Sequence, residues 1–192
     1  MSANFKHRQT PSQTVGPYFA YGLTPSQYDY GELSSLANPQ IASEGAGGQH
    51  IRIFGHVLDG NGAVVSDAMI ELWQADAHGR YASGGRGFFG RCGTGTDGEN
   101  RFWFNTVKPG SVGGAAPHAS LIVFLRGLLT HVYTRVYFSD EAVANGKDPV
   151  LLSVPEQRRK TLIAERIDGP GGPAYRFDIH MQGEKETVFF DV

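Results

Sequence analysis

The distribution of glycine is the feature that most restricts what this chain can fold into. Its 26 glycines among 192 residues fall between short apolar segments and form no repeat. Glycine at such positions is typical of the turns that join short strands, because it adopts positive φ without steric cost. No alternation of strands with helices of crossover length accompanies them, which argues against an α/β fold. The sequence therefore predicts an all-β protein, and about eight short strands favour a β-sandwich.

The alternation of apolar and polar residues predicts where the strands lie. Residues 51–58 alternate in this way before an Asp-Gly-Asn-Gly turn, and residues 175–181 alternate most regularly. Residues 120–125 form a continuous apolar run, which suits a central strand buried on both faces. Further strands are expected at 69–74, 101–106, 131–138 and 160–164, and residues 187–192 close the molecule, whereas 75–100 is expected to be mostly loop because it is rich in glycine.

The chain is predicted to consist of an arm and one core domain. Residues 1–48 are rich in Pro, Ser, Gln, Gly and Tyr, so we expect a mostly extended arm with a short helical stretch near 26–36. Residues 49–192 are expected to form the β-sandwich core domain. Within it we predict one short helix, which begins at Ser139, a suitable N-cap residue, and ends near Asn145.

Composition excludes several classes of partner. The formal net charge is only −2 and no basic stripe is present, so nucleic acid is not an expected partner. No apolar run approaches the roughly 20 residues that span a bilayer, and the first residues lack the apolar core of a secretion signal. The single cysteine, Cys92, forms no internal disulfide and is expected to pack in the core. A cytoplasmic location is therefore predicted.

Six segments in a fixed order resemble the intradiol ring-cleaving dioxygenases, the non-haem iron(III) enzymes that open catechol rings between the two hydroxyl-bearing carbons. Their order and spacing match the family over nearly the whole chain after Thr10. The family includes enzymes built from two homologous chains, and the closing segment is similar to that of the alpha chains. The segments are TPSQTVGPY at 10–18, IELWQADAHGRY at 70–81, FNTVKPG at 104–110, PH at 117–118, TRVYF at 134–138 and FDIHMQGEKETVFFDV at 177–192.

The resemblance also identifies the positions of the family's metal ligands, and most of them differ here. Catalytic chains hold iron(III) with two tyrosines and a His-x-His pair, and the pair matches His118 and Ser120. One tyrosine position matches Val112, and the arginine that precedes the pair matches Ala115. The second tyrosine lies in a segment that is shortened here to 82–91 and contains none. Iron(III) requires hard anionic donors, so the resemblance implies that this chain has no catalytic residue and binds no metal itself.

What the resemblance implies instead is a partner. An iron-free alpha chain pairs with a homologous catalytic beta chain that holds Fe(III), and the two share a pocket for a small aromatic substrate, protocatechuate. Two places match the alpha contribution: the segment from Thr14 through Gly16 to Pro17, and Arg126 at the end of the apolar run. Gly16 permits close backbone approach and Pro17 fixes a bend, while Arg126 would attract a carboxylate. An ordinary turn and an ordinary ion pair are the alternatives at these places.

Two other functions remain open at this point. The chain could be an independent enzyme that recruits iron through other residues, which would show as bound, coloured iron in the chain made alone. It could also be a stand-alone ligand-binding β-sandwich without an enzymatic partner, which would be a monomer that does not co-purify with a homologue.

Overall fold

The computed structural model describes residues 9–82 and 87–191. Strands dominate this part of the chain, so the predicted all-β class is confirmed. No described helix is long and apolar enough to cross a membrane. The strands are β1 (His50–Gly55), β2 (Val57–Leu58), β3 (Met69–Gln74), β4 (Phe88–Gly93), β5 (Phe102–Val107), β6 (His118–Phe124), β7 (Val132–Phe138), β8 (Ile163–Gly169), β9 (Gly172–Arg176) and β10 (Ile179–His180).

Eight of the strands form one hydrogen-bonded sheet in the order β4-β3-β6-β7-β8-β9-β1-β5, and β10 pairs with β2 in a small second sheet. The large sheet has two four-stranded halves, joined by only two residue pairs between β7 and β8. Its edges also meet, since the backbone N–H of Trp103 in β5 donates to Cys92 Sγ in β4 at 3.4 Å. The sheet is therefore nearly closed into a barrel, and the predicted division into two separate sheets of a sandwich is not confirmed.

The core lies inside this curved sheet. The strands alternate as predicted, so one face of each half points inward, and the core includes Ile53, Leu72, Phe104 and Leu121, all without exposed surface. Burying a side chain of this size contributes about 1.5–3 kcal/mol. β6 lies between β3 and β7, as expected of a central strand. However, its alternate side chains are only partly buried, so the prediction that this strand is buried on both faces is wrong for the chain by itself.

Two predicted strands are divided in the structure at the same place. Residues 51–58 separate into β1 and β2, and residues 175–181 separate into β9 and β10. The two segments run side by side, and the Phe177 N–H donates to the Phe54 carbonyl at 2.8 Å. Gly55 permits this approach, because a Cβ there would lie 1.8 Å from the Phe177 carbonyl oxygen. The close approach of the two segments where their strands are interrupted therefore depends on a glycine.

The prediction of one short helix is wrong, because the structure contains several. Ser139 does not cap the helix that follows; it begins a 3-10 turn, and its hydroxyl accepts from the Arg166 N–H at 3.0 Å. The stretch 160–164 is a 3-10 turn for three residues before β8 begins. The described helices are α1 (Phe19–Leu23), α2 (Ala142–Asn145), α3 (Pro149–Ser153) and α4 (Glu156–Arg159), with 3-10 turns at Pro25–Tyr28, Ser139–Glu141 and Lys160–Leu162.

The described part of the arm, residues 9–48, lies along the two edges of the sheet. The side-chain oxygen of Gln27 accepts from the Gly93 N–H in β4 at 2.8 Å. Ile41 donates its N–H to the Asn105 carbonyl in β5 at 2.9 Å. Helical residues in the arm are Phe19–Leu23 and Pro25–Tyr28, earlier than the expected stretch near 26–36. The arm thus covers edges that a nearly closed sheet leaves available for pairing.

Candidate functional site

Two of the positions that match the family's metal ligands lie on β6, and a third, Val112, lies in the turn that precedes it. His118 and Ser120 are two residues apart in β6, so their side chains lie on the same face. Ser120 is flanked by Trp73 of β3 on one side and by Arg135 of β7 on the other. His118 is paired in register with Tyr137. The strand geometry that a shared metal would need is therefore present.

His118 is held as a buried, hydrogen-bonded histidine. Its Nδ1 lies 2.8 Å from the Ala116 carbonyl oxygen, and its ring is 5.7 Å from that of Tyr137 between centroids. Burial lowers the pKa of His118 below its usual value, and the nearby Arg135 charge acts in the same direction. The imidazole is therefore neutral at physiological pH.

Tyr137 and Asp148 form the polar group beneath His118. The Tyr137 hydroxyl donates to Asp148 Oδ1 at 3.0 Å, and Asp148 also accepts from the Ala116 N–H at 2.8 Å. Burial raises the pKa of Tyr137 to about 12. Asp148 caps α3 by accepting from the Leu151 N–H at 2.7 Å. Tyr137 is thus a protonated phenol fixed to a structural carboxylate, not a ready phenolate donor.

The residues at the matching positions do not fit a ferric ion. Ser120 has a neutral hydroxyl, and Val112 and Ala115 carry no donor side chain and close a tight turn by bridging to each other. The shortened segment 82–91 lies partly outside the described residues, which omit 83–86, and its remaining residues include no tyrosine. Among residues 9–82 and 87–191, no group of three or more His, Cys, Asp or Glu side chains is arranged to hold a metal. His118 is left as a single neutral imidazole, with no anionic donor at the positions that match the family's metal ligands.

The residues predicted to line a substrate pocket lie at the other end of β6. Thr14 and Arg126 are brought together there, since the Gly127 N–H donates to Thr14 Oγ1 at 2.8 Å. Arg126 forms an ion pair with Asp67, and 59% of its side chain is exposed. Gly16 and Pro17 are exposed in the turn that precedes α1. The structure therefore groups Thr14 with Arg126, and it leaves Gly16 and Pro17 in the adjoining turn.

The two ends of β6 are far apart within one chain. Arg126 lies in the turn just beyond Phe124, the last residue of β6, and the four steps from Ser120 to Phe124 alone correspond to about 13 Å in an extended strand. The face that matches the metal ligands and the end that carries Arg126 are therefore two separate places on this chain.

Arg135 is a charged residue at this face that the sequence interpretation did not select. It belongs to the TRVYF segment, which was taken only as part of the resemblance. Its position opposite Ser120 depends on the register between β6 and β7. The length of the turn between the two strands sets that register, and no spacing within either strand reveals it.

Comparison with known proteins places the chain in a family. The sequence profile of the family described as Dioxygenase matches residues 14–183. The match extends over most of the chain and includes both ends of β6. The chain belongs to this dioxygenase family.

Three known proteins show what the chain resembles within the family. The protocatechuate 3,4-dioxygenase alpha chain of Burkholderia cepacia is 56% identical over 96% of this chain and 98% of its own length. The beta chain of the same name from that organism is 30% identical over 73% of this chain and 67% of its own length. The dioxygenase domain of a carbohydrate-binding fusion protein from Streptomyces has a TM-score of 0.62 at 21% identity, and the match covers 94% of this chain and all of that domain. The predicted resemblance to alpha chains is confirmed by the first of these.

Proposed function

We propose that this chain is the iron-free alpha subunit of a protocatechuate 3,4-dioxygenase. It pairs with a homologous beta subunit that holds Fe(III), and together they cleave protocatechuate to 3-carboxy-cis,cis-muconate. The observation that carries the proposal is the donor set at His118, Ser120 and Val112, which supplies one neutral imidazole where a ferric site needs anionic ligands. The fold around these positions is intact, so the loss concerns metal chemistry and not the scaffold.

A second observation that supports the proposal is that Thr14 lies next to Arg126, through the hydrogen bond from the Gly127 N–H to Thr14 Oγ1. These residues, with Gly16 and Pro17, form one wall of the substrate pocket of the partner subunit. Protocatechuate carries a carboxylate, and an exposed guanidinium attracts and orients such a group. Arg126 is exposed enough to exchange its contact with Asp67 for a contact with substrate.

The surface of the chain favours a large protein partner. Several large aromatic and apolar side chains are exposed on the arm and on the outer face of the sheet, and aromatic residues are enriched in protein interfaces. Trp73 is 57% exposed and packs edge-to-face on Tyr81 with centroids 5.6 Å apart. The exposed residues include Tyr18, Tyr30, Leu33, Leu36, Trp73, Tyr81 and Leu129. In this proposal the arm, residues 1–48, and the core domain, residues 49–192, both bury surface against the beta subunit in the cytoplasm.

Co-expression with the homologous beta chain is expected to give a stable complex with iron only in the beta chain. Oxygen uptake with protocatechuate should be high for the complex and at background for this chain alone. Metal analysis of each purified species, together with size-exclusion chromatography, measures both properties. Bound iron and activity in this chain alone would identify an independent enzyme. A chain that stays monomeric and does not alter the activity of the beta chain would support a stand-alone binding protein.

Replacing Arg126 with alanine in the complex is expected to lower kcat/KM for protocatechuate by about tenfold or more, because a charge-assisted contact with the carboxylate is lost. Steady-state oxygen uptake measures the change. Asp67→Ala is the matched control, since it removes the same ion pair and keeps the guanidinium. If the two variants have the same kcat/KM, Arg126 acts only through its contact with Asp67 and does not bind substrate.

A further inference from the structure

A pocket of about 290 Å³ opens on the outer face of the sheet, at the end of β6 that matches the family's metal site. The C-terminal segment forms one side of it and is held against β7. The Phe190 N–H donates to the Tyr133 carbonyl at 2.8 Å, and Thr134 Oγ1 donates to the Val188 carbonyl at 2.8 Å. The lining residues are Ser120, Tyr133, Thr134, Arg135, Val150, Phe190 and Asp191.

Arg135 is the cation of this pocket. Its side chain is partly buried. Among the described residues, it donates a long hydrogen bond of 3.5 Å from Nη1 to the Tyr137 hydroxyl. Within residues 9–82 and 87–191, no carboxylate lies within 4.0 Å of the guanidinium. A guanidinium stays charged at physiological pH, and a partly desolvated charge is stabilised by a counter-ion. The pocket therefore favours an anion.

The groups around Arg135 do not neutralise it. Tyr137 is protonated, and the buried Asp148 carboxylate, which accepts from the Ala116 N–H, the Leu151 N–H and the Tyr137 hydroxyl, forms no ion pair within 4.0 Å of the guanidinium. His118 is neutral because burial lowers its pKa. Asp191 lines the pocket and is exposed, so its carboxylate opposes anion binding from the solvent side. The remaining walls, from Tyr133, Val150 and Phe190, suit an aromatic ring.

We propose that this pocket binds a single-ring aromatic carboxylic acid, with the carboxylate on the Arg135 guanidinium and the ring between Tyr133 and Phe190. Its volume is near the lower limit of small-molecule sites, about 300–1,000 Å³, which favours a ligand of one ring. The Ser120 hydroxyl supplies a further hydrogen-bonding group at the same face. In this chain a guanidinium thus provides a positive charge near the positions that match metal ligands in the catalytic chains.

Fluorine NMR with 4-fluorobenzoate as the probe tests the proposal, on the full chain alone and on its complex with the beta chain. We expect saturable binding at one site of the full chain. Arg135→Gln should weaken it by about tenfold or more, and Arg135→Lys should have an intermediate effect because it keeps the charge without the planar fork. Asp191→Asn should tighten binding by about twofold to fivefold, because it removes an opposing charge.

Matched controls separate the pocket from general charge effects. Arg52→Gln removes an exposed arginine from β1, in the other half of the sheet, and should leave binding unchanged. The neutral probe 4-fluorobenzamide should not bind.

Thermal melting of each variant shows whether the fold is retained, and a folded Arg135→Gln variant with wild-type affinity would overturn the proposal. A site that is present in the chain alone and absent from the complex would mean that a partner segment fills the pocket, which would also overturn it. The binding of 4-fluorobenzoate and its loss in Arg135→Gln are measured without turnover, so they can fail or succeed independently of the activity of the complex with protocatechuate.

Discussion

Replacing Asp148 with alanine is expected to lower the free energy of unfolding by about 3–5 kcal/mol, because three donors lose their acceptor and a helix loses its cap. The carboxylate has no exposed surface. It accepts hydrogen bonds from the Ala116 N–H, the Leu151 N–H and the Tyr137 hydroxyl at 2.7–3.0 Å. It therefore joins the start of β6, the end of β7 and α3. Urea denaturation of the wild-type chain and the variant measures the difference.

The charge of Asp148 also adds a pH dependence to stability. Burial alone would raise the pKa of Asp148, but hydrogen bonds from Leu151, Ala116 and Tyr137 outweigh it, and the pKa is lowered. A carboxyl group with a lowered pKa contributes stability that is complete above its unfolded pKa, about 3.9, and is lost as the pH falls through its folded pKa.

Asp148→Asn is the matched control, since it keeps one acceptor oxygen and removes the charge. It should be less destabilised than the alanine variant. Between about pH 5 and about pH 3 it should also lose less stability than the wild-type chain. An asparagine variant with the same loss as the wild type over this range would show that Asp148 does not carry the charge-dependent stability.

Replacing Gly55 with alanine is expected to cost about 3 kcal/mol, at the upper end of overpacking penalties. A Cβ at this position would lie 1.8 Å from the Phe177 carbonyl oxygen. That atom belongs to the backbone, so relief requires a shift of the segment between β9 and β10. The hydrogen bond from the Phe177 N–H to the Phe54 carbonyl, at 2.8 Å, would be strained as a result.

Gly98→Ala provides the comparison for this substitution. No atom lies within 4 Å of a Cβ built at Gly98, and its φ is not in the positive range. Its effect on stability should stay within about 0.5 kcal/mol. Thermal or urea unfolding of both variants checks the pair, and equal effects would mean that the contact at Gly55 is relieved without cost.

The local pattern of apolar and polar residues was sufficient to predict most strands. It failed where contacts between distant parts of the chain determine the structure. β3 lies at the predicted residues, because its alternation matches a half-buried strand. β4 was missed within the stretch 75–100, because its glycines resemble those of a loop. The ideal Cβ position at Gly90 lies 2.6 Å from Ile41, so that glycine makes room for the arm and does not mark a turn. The division of residues 175–181 was equally hidden, because it depends on Gly55 more than 100 positions earlier.

The candidate site was predicted only in part, because some of its residues are brought together by contacts between distant segments. The retained histidine at His118 and the altered positions at Ser120 and Val112 could be identified from the motifs that carry the family resemblance. The proximity of Thr14 to Gly127 and the pairing of Arg126 with Asp67 join segments that are 113 and 59 positions apart. No short-range pattern contains this information. Arg135 was overlooked because its importance depends on which residue of β6 lies opposite it.

The distance between the two ends of β6 determines whether substitutions at one end affect the other. Sites more than about 7–10 Å apart with no shared partners usually respond to substitution independently. Ser120 is already about 13 Å along the strand from Phe124, the last residue of β6 before the turn that carries Arg126. In the proposed function, a subunit of this kind can therefore lack metal chemistry at one end of β6 while the other end contributes to the pocket of the beta subunit. The altered end is then free to acquire a different ligand, at no cost to the reaction that the pair performs.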